Sequence, residues 1–251
     1  MNDLPVKELL YKIADDQLIL GHRNSEWTGF GPLLEEDIAF SSMAQDKVGQ
    51  SLALYQMLHQ LGEPPPDTTA FLRTANQFRN CILVELPNGE YDFSLVRHFL
   101  FDTAELIRFD MLSQSSYRPL AELSNKIRGE LRYHVLHANT WMKQLGTATE
   151  ESISRLQHSL DFGLPYAAGI FELSPFENDL ISTGIFGGEM ILKERWMEKV
   201  EEVIQETSLR MPAWSSINPV PGGRMGVHSE YLQPLLDEMS EVIRIDPTAE
   251  W

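Results

Sequence analysis

Cysteine is nearly missing from these 251 residues: Cys81 stands alone. No disulfide can form within the chain, which suits a reducing compartment. Basic residues are scarce as well, 20 Lys and Arg against 37 Asp and Glu, for a formal net charge of −17. Nucleic-acid binders carry basic stripes that displace counterions from phosphate, so this balance argues against such a partner. It favours solubility and suits docking to a basic protein surface. No apolar run approaches the roughly 20 residues of a membrane span. The opening "MNDLPVKELLYKIADD" has no basic region followed by an apolar stretch, so neither a membrane nor an export route is expected and the setting is read as cytoplasmic. P-loop, dinucleotide fingerprint and nucleophile elbow are all lacking.

Strand alternation is nearly absent too, and what remains is helical spacing. It predicts helices over about 4–23, 33–61, 68–86, 92–115, 119–145, 149–171, 188–206 and 228–244. "SEWTGFGP", "GEPPPD" and "PNGEYD" break the pattern, and "SPFENDLISTGIFGG" and "MPAWSSINPVPGGRMG" read as irregular segments. None of these is long or polar enough to demand a second domain. One all-α domain over 1–251 is expected, a four-helix bundle with additional helices.

Four helices carry an apolar seam interrupted near its middle by a polar group. The first reads Leu9, Ile13, Asp16, Leu20 and the second Phe40, Met43, Lys47, Gln50, Leu54, Met57. A third seam is Leu95, Phe99, Asp102, Leu106, Phe109, and a fourth is Leu120, Ile127, Leu131, His134, Ala138, Trp141, Leu145. Asp16 precedes Lys47 by 31 residues, and Asp102 precedes Leu131 by 29. Each half is thus a helix with one carboxylate followed by a helix with two special positions three apart, the layout of a di-iron carboxylate bundle. Three-residue spacing places both side chains on one helix face, aimed at one ion.

Most ligands for such a centre are replaced. Lys47 repels a cation, Gln50 is a poor iron ligand, and Leu131 is none. Asp16, Asp102 and His134 remain. One reading is an ion-paired core in which the Lys47 ammonium takes the place of metal charge beside Asp16 or Asp102. The other is a mononuclear site built on those three residues, with Glu130 four residues before His134 and His137 one turn beyond. His22, His98, His158 and His228 share no further ligand spacing.

Several separated blocks match a known family in order: "GHRNSEWTGFGPLLEEDIAFSSMAQDKVGQ", "VELPNGEYDFSLVRHFLFD", "ELRYHVLHANTWMKQLG" and "GGRMGVHSEYLQPLLDEM". Through them the chain resembles the PaaC-type subunits of the bacterial phenylacetyl-CoA epoxidase (phenylacetate-CoA oxygenase), over nearly its full length. The resemblance implies a ferritin-like fold and a subunit without the di-iron centre. The catalytic companion has a QDExGH block where this chain has "AQDKVGQ", and a Glu-x-x-His where it has "ELRYH". Lys47, Gln50 and Leu131 then stand at ligand positions and His134 matches one, while Asp16 and Asp102 match by spacing alone. A complex with the di-iron subunit is implied, as is a reductase bringing electrons from NADPH, for ring 1,2-epoxidation of phenylacetyl-CoA with O₂. Self-association through the same face is a further expectation.

Smaller features carry their own expectations. Trp27 and Phe30 are read as packing the first corner onto the core. "PGGRMGVHSE" is read either as a turn in which Ser229 caps the last helix, or as an anion loop in which Arg224 meets a CoA phosphate. Gly49, in mid-helix, points to a close helix contact.

Overall fold

The computed structural model describes residues 3–246. Among them are ten α-helices and no strand, an all-α architecture of the ferritin-like kind. The chain forms two compact units. Of the described residues, 3–87 and 222–246 make the first, and 88–221 the second.

In the first unit, α1 (Leu4–Ser25) and α2 (Leu34–Gln60) pack side by side. Contacts run from Lys7 with Glu63 at one end through Asp15 with Tyr55 to Gly21 beside Val48, so the pair is antiparallel. Pro5 sits in the first turn of α1, where its missing N–H costs nothing. From Lys12 to Gly21 every residue of α1 is buried, including Lys12, Asp15, Asp16 and Gln17. The sequence pattern gives only a seam here; the whole circumference is covered. The α2 seam is as expected, with Phe40, Met43, Lys47, Gln50, Leu54 and Met57 all buried.

The expected helix over 68–86 is broken into α3 (Pro66–Phe71), a 3₁₀ turn at Ala75–Gln77 and α4 (Ile82–Glu85). The reason is local. The backbone N–H of Arg79 donates to Asp15 Oδ2 at 2.7 Å and that of Cys81 to Asp16 Oδ1 at 2.7 Å. Those amides are spent on carboxylates of α1 and cannot close helical turns.

The second unit is built on α5 (Tyr91–Leu112) and α6 (Arg118–Leu145), again antiparallel, with Tyr91 near Trp141 and Arg128 reaching Ser113. The helices α7 (Glu150–Ala168) and α9 (Glu189–Ile204) also pack on α5, which is buried continuously from Phe93 to Glu105. Between them lies α8 (Glu177–Ser182), inside a segment expected to be irregular. The buried seam of α6 ends on Ala138 and Met142 rather than on Trp141 and Leu145. The last helix, α10 (Leu232–Ile245), begins about four residues later than its expected start and belongs to the first unit.

Two glycine and corner readings change. An added Cβ at Gly49 meets nothing within 4 Å, whereas one at Gly21 lies 3.0 Å from Val48 Cγ2, so the close approach of α1 and α2 falls at Gly21. Trp27 does pack, with its ring 5.8 Å from that of Phe40, but Phe30 is 79 % exposed.

Candidate functional site

Asp16 lies on α1 with 1 % of its surface exposed. The guanidinium of Arg224 stands against it, Nη2 at 2.7 Å from Oδ2. The Nη1 of Arg224 donates to the carbonyls of Lys12 and Arg79 at 3.2 and 2.8 Å. Glycine makes this approach possible. A Cβ at Gly223 would sit 2.1 Å from the Asn80 carbonyl oxygen. Lys47 is fully buried, and its ammonium donates to Gln17 Oε1 at 3.3 Å. Asp16 thus draws a cation from the far end of the chain, one that the seam pattern does not foretell, because a glycine-rich turn there brings a guanidinium against α1. Gln50 is buried on the Lys47 face of α2.

Two neighbouring carboxylates are similarly engaged. Asp15 accepts from Tyr55 Oη at 2.6 Å and from both Nη atoms of Arg73, at 2.5 and 3.1 Å. The Arg73 guanidinium lies 4.0 Å from the Phe78 ring centroid. Burial, and then Asp15, push the Tyr55 hydroxyl well above its ordinary pKa, so it stays a donor. Glu85, fully buried, takes hydrogen bonds from Asn80 Nδ2 at 2.9 Å and from the N–H and hydroxyl of Ser229 at 2.8 and 2.6 Å. His228 Nδ1 lies 2.5 Å from its Oε1. Ser229 thus serves Glu85, and no side chain caps α10.

In the second unit Asp102 and His98 are four apart on α5, with Nδ1 to Oδ2 at 2.6 Å. This pairing is legible as an i,i+4 spacing, yet reading histidines only against ligand motifs passes over it. Leu131 and His134 are fully buried on α6, whereas Glu130 lies half-buried beside that face. Arg108 donates from Nε to Glu105 at 2.7 Å and from Nη1 to Glu189 at 2.5 Å, all three buried. Burial works against that guanidinium's charge, and Glu189 and Glu105 outweigh it, holding its pKa above the ordinary value.

The chemistry of these donors is that of a charge-compensated core. Among the described residues no three or more His, Cys, Asp and Glu side chains are grouped to hold a metal ion. At the positions where the resemblance implies iron ligands, Gln50 offers an amide, Leu131 an alkyl group and Lys47 an ammonium. An iron pair does not fit this donor set.

Comparison with known proteins places the chain. A family model described as phenylacetic acid catabolic protein matches residues 2–251. The chain belongs to this family. It is 32 % identical over 252 residues to the C component of the 1,2-phenylacetyl-CoA epoxidase of Escherichia coli (strain K12), covering 100 % of both chains. For a phenylacetic acid catabolic protein, the anion-loop reading of "PGGRMGVHSE" would have Arg224 face a CoA phosphate. Instead it is 4 % exposed, with its charge set against Asp16 and its donors on backbone carbonyls. Burial removes it from any ligand at the surface.

Proposed function

We propose that this chain is the non-catalytic structural subunit of a phenylacetyl-CoA epoxidase, holding a homologous di-iron subunit in a stable complex. The observations that carry the reading are two buried helix faces, that of α2 in the first unit and that of α6 in the second. Lys47, Gln50 and Leu131 are buried there, at positions where the resemblance implies iron ligands, in a chain that matches a component of that epoxidase from end to end. The iron pair, the O₂ chemistry and the ring 1,2-epoxidation then belong to the partner, with electrons from NADPH arriving through a reductase. No helix among the described residues is long and apolar enough to cross a membrane.

The test is co-expression with the di-iron subunit, size-exclusion chromatography, and metal analysis of each purified chain. Co-elution at micromolar concentration is expected, with iron in the partner and at most trace metal here. Separate elution, with the di-iron subunit soluble and active alone, overturns the scaffold. Stoichiometric metal in this chain together with turnover in isolation would instead establish the mononuclear enzyme.

A further inference from the structure

The outward face of α2 is unusual for a solvated helix. Leu34, Ile38, Ser41, Gln45, Val48 and Leu52 follow one another at three- and four-residue steps, so they form one stripe about 27 Å long. Leu34 is 72 % exposed and Ile38 60 %, and Val48 and Leu52 are exposed as well. Phe30 and Leu33 extend the stripe from the preceding corner. Alongside its middle opens a cavity of about 490 Å³, lined by Leu18, Gly21 and His22 of α1, Ala44 of α2, Phe71 and Met239. His22 Nε2 is buried without a hydrogen-bond partner. A ridge of exposed aliphatic side chains beside a socket is the geometry that receives an amphipathic helix, one large side chain entering the socket as anchor.

Charge selects the occupant. Between Arg23 and Arg73 the sequence contains a single Lys or Arg, and that is Lys47, which is fully buried. Exposed or half-exposed Glu35, Asp37 and Asp46 lie on α2 beside the stripe. The stripe has an acidic rim, and residues 24–72 give it no exposed lysine or arginine. A second copy of this chain would set acid against acid, which costs rather than stabilises. A helix whose apolar ridge is flanked by lysine and arginine meets it on both counts.

We infer that this face of α2, with its socket, is the docking site for a basic-flanked amphipathic helix of the partner subunit. The inference rests on the scaffold reading and adds the face and the chemistry of what covers it. Binding to the purified di-iron subunit is measured by calorimetry, for wild type and for variants whose thermal melts match it. Ile38→Lys/Leu52→Lys is expected to weaken binding at least tenfold. Gln45→Lys, beside the socket, should weaken it and Gln45→Glu should not. Leu136→Lys, at an exposed apolar position of α6, is the control and should leave affinity unchanged. Wild-type affinity in the α2 variants overturns the inference and leaves the scaffold standing, whereas no binding by wild type overturns both. Concentration-dependent dimers of this chain alone, abolished by Ile38→Lys/Leu52→Lys, would assign the face to self-association and also overturn it.

Discussion

Asp16 and Arg224 form a buried ion pair in which each member justifies the cost of the other. Charged groups at 1 % and 4 % exposure have given up most of their hydration, and removing one partner leaves the other uncompensated. Arg224→Met should therefore destabilise the chain by roughly 3–5 kcal/mol, read as a lower urea midpoint. Asp16→Leu/Arg224→Met should recover a large part of the loss, and equal midpoints for Arg224→Met and wild type would contradict the account. Asp16, Lys47, Gln50, Asp102, Leu131 and His134 are all legible as buried from their seam positions. Arg224 as the partner of Asp16 is not, since no spacing rule links α1 to a turn near the other end of the chain. A second residue-scale expectation concerns His22, whose pKa burial lowers from 6.5. Below 6.5 the unfolded chain takes up a proton that the folded chain refuses, so this residue's contribution falls as pH drops toward the lowered value. Stability of His22→Gln should decline less than that of wild type between pH 7.5 and 5.5, as measured by urea unfolding at both.

Helix α2 and the segment after it show why some elements are readable and others not. A 27-residue helix with a continuous seam announces itself through its period. The 68–86 region carries enough apolar residues to mimic a helix, and its true path is set by Asp15 and Asp16 drawing in the amides of Arg79 and Cys81. That is a tertiary decision, which local propensity cannot anticipate. Glycine makes the same point with opposite signs. Gly49→Ala meets open space in the middle of α2 and should stabilise the isolated chain by about 1 kcal/mol, the propensity difference alone. Gly223→Ala would drive a methyl group to 2.1 Å from the Asn80 carbonyl oxygen, displacing the turn that carries Arg224. Its thermal midpoint should fall well below wild type while that of Gly49→Ala rises, and a shared direction would refute the assignment of the close approach.

At the scale of the whole molecule the first unit is closed by its own C-terminal segment. The chain leaves that unit at Pro87 and supplies α10 to it again from Gly222 onward, bringing Arg224 to Asp16 and His228 to Glu85. The crossings fall in the breaks "PNGEYD" and "MPAWSSINPVPGGRMG", but neither composition says that the chain comes back to the first unit, because that join is made by buried charge and close backbone. Across all 251 residues acid outnumbers base by 17. A surface of that sign repels copies of itself and attracts a basic patch from beyond contact, over about 8 Å at physiological ionic strength. If the acidic rim of α2 steers a basic helix into place, salt acts on the encounter and spares the packed apolar stripe. The association rate with the di-iron subunit should fall steeply between 50 and 500 mM NaCl, by tenfold or more, while the dissociation rate changes little. Stopped-flow mixing at several salt concentrations separates the two rates. A salt-independent association rate would mean that the net charge serves solubility alone and takes no part in finding the partner.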